Sequence, residues 1–320
     1  MTDHPQEAHD SHYPYGWFVI AFSDEIQSGQ VTPITYFGRD LILFRTDEGV
    51  PCVLDAYCPH LGAHLGYNGT VKGDTVQCPF HHWRFDTTGV CVEIPYCKGK
   101  IPPKANVRSW IVTEKNQMIY LWFHPHGLEP QFEIPLLPTD LDHDDHAAWT
   151  PWAHHLLEID THSREILENV VDIGHFIPVH GTHIDTFENV FDGHQATQIS
   201  KGTAYPRGGG KDRFSLTATY FGPGYQITHM DGYLKSMLVN AHTLIQPNRL
   251  RLRFGVSLQT QKGLDNLEDI CAMYIQNLTT GFLEDVQIWE NKTYRRHPML
   301  CDGDGPIMKL RKWYQQFFVH

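Results

Sequence analysis

The chain has 320 residues, 41% of them hydrophobic, with 37 acidic against 25 basic side chains and a formal net charge of −12. That length allows two cored domains, and the charge leaves no basic face to neutralise phosphates, which excludes a nucleic-acid binder. Seven cysteines form an odd and sparse set, which fits a reducing compartment and not a secreted disulfide scaffold.

The first residues, Met1 to Asp10, are polar and acidic, unlike a secretory or transit signal. No apolar run approaches the roughly 20 residues needed to span a bilayer. The expectation is a cytoplasmic protein with no transmembrane segment and a disordered stretch over residues 1–12. From Tyr13 the pattern turns β-like: Gly16–Phe22, Val31–Phe37, Leu41–Phe44 and Pro51–Tyr57 are short strands with turns between them, Gly38-Arg39-Asp40 among these. They predict a small antiparallel β-domain over 13–125.

Within it lies the strongest local signal. Cys58-Pro-His60 and Cys78-Pro-Phe-His81 are two Cys/His pairs separated by the 17 residues 61–77. Each pair fits on a tight loop, so two loops present four ligands to one centre. Zinc also takes two Cys and two His, but its fingers pair Cys with Cys and His with His at each knuckle. One of each per loop suits a Rieske [2Fe–2S] cluster, in which two Cys hold one iron and two His the other. His64 and His82 read as surface or neighbouring imidazoles, and Cys52, Cys91 and Cys97 as small buried packers. Trp110–Val112 and Met118–Phe123 close the domain. The His-, Pro- and Asp-rich stretch 126–148 reads as a solvated linker, with a flexible acidic connector favoured over a metal site.

The second domain, 149–320, opens with a strand over Trp149–Ile159. A helix follows, capped by Thr161 or Ser163, with Glu165 near its start. It runs into Asn169–His180. Asp172 and His175, three apart, share a helix face, and Pro178 ends regular helix, so that His180 swings back toward His175. With a carboxylate from elsewhere, the two imidazoles form the 2-His-1-carboxylate face of a non-haem Fe(II) site. Val190–Ile199, Phe214–Phe221, Tyr225–Met230, Leu234–Ile245 and Leu250–Leu258 then alternate as strands of an antiparallel sheet. The Gly208–Gly210 run lacks a phosphate-binding pattern and reads as a loop. Residues 265–292 have helical periodicity, with Phe282, Val286 and Trp289 on one face. Asp285 borders that face, Glu284 points away and Glu290 is marginal. A charge turned toward a core needs a partner, so Asp285 is the third iron ligand. The fold class is α+β: a small antiparallel β Rieske domain and a catalytic domain whose antiparallel sheet is gripped by helices.

The chain resembles a known family. Cys58 to Gly66 and Val71 to Cys91 look like the Rieske domain of ring-hydroxylating oxygenases, with His82 where many members carry Gly. Glu168 to Phe176, Tyr220-Phe-Gly-Pro223, Val239-Asn-Ala-His242, Gly281 to Lys292 and Leu300 to Phe317 resemble the oxygenase component of 3-ketosteroid 9α-hydroxylases. The cluster lobe looks closer to sterol 7-desaturases, whose usual membrane anchor is absent here. The resemblance implies a homotrimer in which one subunit's cluster serves its neighbour's iron through a bridging carboxylate at Asp172. That Asp172 only orients a ligand stays open, and Asn169 is a candidate for the surrounding shell. No Gly-x-Gly-x-x-Gly follows a strand, so electrons from NADH arrive only through a separate ferredoxin-type reductase.

With O2 as co-substrate, the expected activity is hydroxylation of a steroid-like apolar molecule, as in 3-ketosteroid 9α-hydroxylation. The alternatives are a sterol 7-desaturase-type or other Rieske mono-oxygenase and, outside enzymes, a Rieske electron carrier. Tyr220, Phe221, Met230, Tyr233 and Met237 are candidate cavity walls, with Asn240 a candidate donor to a substrate carbonyl.

Overall fold

The structure, a computed structural model, describes residues 12–140, 149–204, 211–232, 234–260 and 266–319. Apart from His12, the N-terminal stretch expected to be disordered lies outside this description, as do 141–148 of the expected linker, the loop at 208–210 and Tyr233.

Eleven strands build the N-terminal part: β1 (Gly16–Phe22), β2 (Val31–Tyr36), β3 (Arg39–Arg45), β4 (Pro51–Asp55), β5 (Thr70–Lys72), β6 (Thr75–Gln77), β7 (Arg84–Phe85), β8 (Cys91–Glu93), β9 (Ser109–Trp110), β10 (Val112–Lys115) and β11 (Met118–Phe123). They form three small antiparallel sheets, ordered β1-β11-β10, β2-β3-β4-β9 and β5-β6-β7-β8. The β2–β3 turn is tighter than the Gly38–Asp40 reading. Tyr36 pairs with Arg39, and Phe37 and Gly38 both take positive φ (54° and 66°), the backbone of a two-residue hairpin turn.

The C-terminal part is one seven-stranded antiparallel sheet, in the order β12-β18-β17-β16-β15-β14-β13. Its strands are β12 (Ala153–Ile159), β13 (His183–Asp192), β14 (Gln195–Ala204), β15 (Asp212–Phe221), β16 (Tyr225–Asp231), β17 (Ser236–Gln246) and β18 (Arg249–Leu258). The single strand read over Val190–Ile199 is instead a hairpin, because Gly193 supplies a positive-φ turn (51°) between β13 and β14. Helices α1 (Ser163–Glu168), α2 (Phe176–His180), α3 (Leu267–Trp289) and α4 (Ile307–Gln315) complete the fold.

The cluster lobe has its own core, built on Ile42, Leu54, Val76 and Phe85. The β1–β11 ribbon does not stand apart from the large sheet in this way. Phe18, Leu121 and Phe123 share one apolar cluster with Leu244, Leu252, Phe254 and Trp289. Across the same seam, Phe37 N and Gly38 N donate to Leu244 O and Ile245 O (both 2.8 Å). The linker reading also fails where it can be checked. Ile134 and Leu137 are buried, Trp17 Nε1 donates to Phe132 O (2.8 Å), and Asn116 Nδ2 donates to Pro135 O (2.9 Å). A proline-rich strap can pack without regular structure if other residues satisfy its carbonyls, and Trp17 and Asn116 do that here. Among the described residues no helix is long and apolar enough to cross a membrane.

Candidate functional site

In the N-terminal lobe the two Cys/His loops are built alike. In the first, Cys58 N donates to Ala63 O (2.9 Å) and Gly62 N to Cys58 O (3.0 Å). In the second, Cys78 N donates to Trp83 O (2.8 Å) and His82 N to Cys78 O (3.2 Å). Such closed turns throw the two thiols inward, where both are buried, and leave the imidazoles nearer the surface. The His60 and His81 rings lie 4.6 Å apart, edge to face. His60 also stacks on Trp83 at 4.7 Å, whose Nε1 donates to Tyr96 Oη (2.8 Å).

This donor set fits a sulfide-bridged di-iron cluster on two observations. His60 Nδ1 is buried with no hydrogen-bond partner among the described residues, although its ring is clamped in place. Burial, with the neighbouring Cys78, pushes the Cys58 thiol up to about 12, so that thiol favours its protonated form unless a cation compensates the thiolate.

His64 is not in the set: its Nδ1 accepts from Gly66 N (3.0 Å). His82 is exposed and holds φ at 61°, which explains why glycine is at home there. Cys52 and Cys91 are buried as expected. Cys97 is exposed, because it lies in a loop whose carbonyls at Gly99 and Lys100, not an apolar core, surround its sulfur.

The second site is assembled from separate elements. Helix α1 is capped by neither Thr161 nor Ser163 but by His162, whose Nδ1 accepts from Arg164 N (3.1 Å). Ser163 Oγ is engaged by Tyr314 Oη instead (2.8 Å). The helix ends at Glu168, so Asp172 and His175 do not share a regular helix face. Val170 and Val171 are buried and pin the turn that follows. Asp172 Oδ1 accepts from Gly174 N (3.0 Å), and its carbonyl oxygen lies 2.6 Å from His175 Nδ1. That carbonyl fixes the Nδ1–H tautomer and leaves Nε2 free to ligate. Pro178 does not end a helix. It sits in the first turn of α2, where its missing N–H costs nothing. Gly181 (φ 61°) then closes α2, and His180 projects from the last turn.

His175, His180 and Asp285 offer ligand atoms that all lie within 4.8 Å of one another. His180 Nε2 is 3.3 Å from Asp285 Oδ2, and the two imidazole rings are 5.3 Å apart. Asp285 is only 6% exposed, because Phe282, Val286 and Trp289 turn this side of α3 onto the sheet. Glu284 does not point away: its Oε2 is 3.9 Å from His180 Nδ1. Glu290 lies outside the group and accepts from Asp160 N (3.1 Å). The chemistry fits a divalent cation. Burial lowers the His175 pKa, whereas the hydrogen bond to Asp285 raises that of His180. Two imidazoles and one carboxylate on one side of a cavity leave coordination positions open.

Two cavities flank the three residues. The inner one, ≈ 260 Å³, reaches His175 and Asn169, and the outer one, ≈ 460 Å³, reaches His180 and Asp285. Leu278 and Phe282 line both. The pleat decides which of the expected wall residues face inward. Tyr220 and Asn240 line the inner cavity. Met237 and Phe221 do not, for they lie on the opposite face, packed with Trp17 and Met118. Met230 lies under α3, with Tyr274 Oη 3.9 Å from its sulfur. Residue-type reasoning missed Gln198, Gln226 and Thr228, which line the same cavity. Register would have found two of them: once Asn240 is placed inward, Gln226 opposite it must follow, and Thr228, two residues on along β16, faces the same way.

Gly305 was also missed. A Cβ there would lie 1.6 Å from the Val171 carbonyl oxygen, so the C-terminal loop holds the ligand turn only through a bare glycine.

Comparisons with known proteins agree with both halves. Residues 16–110 match the family described as the Rieske [2Fe-2S] domain, and residues 121–318 match the 3-Ketosteroid 9alpha-hydroxylase C-terminal domain. A 3-ketosteroid-9-alpha-monooxygenase oxygenase component of Rhodococcus rhodochrous is 36% identical, over 95% of this chain and 82% of that protein. Cholesterol 7-desaturase nvd 1 of Ciona intestinalis is 32% identical, over 96% of this chain and 69% of that one. In fold, the chain is similar to dicamba monooxygenase bound to 3,6-dichlorosalicylic acid: TM-score 0.78, 21% identity, covering 94% of this chain and 96% of the other.

Proposed function

The chain belongs to the Rieske oxygenases whose C-terminal half is the 3-ketosteroid 9α-hydroxylase domain, and from that premise we propose that it hydroxylates a 3-ketosteroid-like substrate at a carbon held beside His175, His180 and Asp285. The observation that carries this reading is the convergence of those three side chains where two cavities meet. When bound, the cluster supplies electrons singly and the ferrous ion supplies O2 activation.

The chain's own residues do the rest. Cys58, Cys78, His60 and His81 hold the cluster. Ile166, Val170, Leu278 and Phe282 give the inner cavity an apolar side that excludes water, and Gln226 and Asn240 face it from the sheet. The Asp172 carbonyl orients His175. The Asp172 carboxylate, 3.7 Å from His175 Nδ1 and 38% exposed, bridges to a neighbouring subunit's cluster in this reading, which its exposure supports. The tip of the cluster lobe exposes Leu61 (65%) and Phe80 (59%), a surface suited to pack there in a homotrimer. The reading carries a division into 13–125 and 149–320 joined by 126–148, and a separate ferredoxin-type reductase as electron source, as the relatives' designation as oxygenase components supports.

The test is product analysis under labelled O2, with a surrogate reductase, NADH and a panel of 3-ketosteroids, sterols and small aromatic acids. Label in a steroid alcohol is expected. A new double bond without label would favour the desaturase reading that the Ciona relative suggests, and oxidation of the aromatic acids alone would reject the steroid.

A further inference from the structure

Among the described residues two buried imidazoles, His124 and His242, belong to neither centre; His124 Nδ1 accepts from His126 N (3.1 Å), which leaves His242 to be explained. His242 lies on β17 two residues beyond Asn240, and its side chain is wholly enclosed (0% exposed). Neither Nδ1 nor Nε2 has a hydrogen-bond partner among the described residues. A neutral imidazole carries one donor and one acceptor, and a buried polar group without a protein partner is ordinarily met by ordered water.

The surroundings give that water a direction. The Tyr220 ring lies 5.6 Å from the His242 ring, and Tyr220 is a wall of the inner cavity together with His175. His162, which caps the helix α1 that packs against β17, is within electrostatic reach of His242. His162 lines a second, separate groove of ≈ 280 Å³ with Arg164, Tyr314 and Gln315. Gln315 is exposed, so this groove opens to solvent. His242 therefore neighbours one residue of each, Tyr220 of the reaction cavity and His162 of the solvent-open groove. Burial holds its pKa down, to about 3, so the ring rests neutral and able to accept.

We propose that His242 binds ordered water at its ring nitrogens and passes protons from the His162 groove to the inner cavity beside His175. Its purpose rests on the oxygenase reading above. Each turnover, R–H plus O2 plus two electrons and two protons giving R–OH and water, draws protons into a pocket with an apolar side. In each passage an N–H bond forms at the nitrogen facing the groove as the N–H at the other breaks toward water at the Tyr220 side. No electrons move through the ring, and a half-turn of the ring then brings the new N–H to the Tyr220 side and the bare nitrogen to the groove side.

A high-resolution crystal structure of the holoenzyme is expected to show water within hydrogen-bond distance of the ring nitrogens; nitrogens that meet only carbon would overturn the proposal. His242→Phe keeps the ring and removes both nitrogens. It is expected to keep the thermal midpoint and the cluster spectrum, to lose turnover about tenfold to a hundredfold, and to change the rate ratio between H2O and D2O. Wild-type turnover with an unchanged ratio would overturn the relay. If that variant does not fold, His242→Gln holds water but carries no proton across: full activity there has the same meaning. Should the wild-type protein oxidise no steroid, the functional reading fails, and the relay is then judged on the water positions.

Discussion

The two metal-binding regions are organised on opposite principles. In the cluster lobe all four proposed ligands come from two short loops, each closed by its own backbone hydrogen bonds, and a separate apolar core holds both loops. The second site draws His175 from an irregular turn, His180 from the end of a five-residue helix and Asp285 from a helix a hundred residues later. Its geometry rests on packing between distant elements. The first region is robust because its geometry is local. The second opens onto two cavities and depends on every element that meets there.

The sharpest way to break this contrast is to remove one ligand. Asp285→Ala is expected to abolish turnover, by about a thousandfold or more, while the visible absorbance of the cluster persists. Next comes Gly305→Ala, which touches no ligand. Its Cβ would collide with the Val171 carbonyl, and overpacking against backbone costs about 3 kcal/mol. Loss of the mononuclear iron with the cluster retained, read by metal analysis and absorbance, would show that the ligand turn had moved.

Smaller is the effect of Glu25→Gln, which cuts a tie between the two regions. Arg253 Nε and Nη2 both donate to the Glu25 carboxylate (3.0 Å each) across 228 positions. Removing a partner from such a pair costs about 2–3 kcal/mol, readable in urea denaturation. Burial alone would raise the Glu25 pKa, but the Arg253 guanidinium, helped by the Phe22 N–H and His154, offsets it, and the net shift is downward. A carboxyl lowered on folding stabilises above its unfolded pKa and loses that contribution as pH falls through the folded one. The gap between wild type and variant should therefore close in acid.

The smallest effect is at His82→Gly. It relieves a left-handed backbone (φ 61°) and should stabilise the lobe by about 1 kcal/mol at most, offset in part by the extra freedom of glycine when unfolded.

The same contrast governs what the sequence reveals. Cys58, His60, Cys78 and His81 could be read at once, because local spacing and local geometry coincide. His175, His180 and Asp285 could be nominated from residue chemistry, but the path between them was misread. Helical spacing put Asp172 and His175 on one helix face, whereas the buried pair Val170–Val171 and the proline at 178 divide the segment into two helices. The cavity wall was half legible. Tyr220 and Asn240 face inward, but which alternate face of a strand meets α3 is a tertiary fact, and Met237 and Phe221 fall on the wrong side of it. The packed strap at 130–137 was hidden for a related reason, since its composition is that of a loop and only Trp17 and Asn116, remote in sequence, hold it down.

The most direct test of a relay built locally and an iron site built at a distance is a count of iron and acid-labile sulfide in the purified protein and in His175→Ala, with electron paramagnetic resonance of both. About three irons per chain falling to about two in the variant, with the reduced-cluster signal unchanged, is the predicted result. Two irons in both proteins, or zinc in the N-terminal lobe, would contradict it.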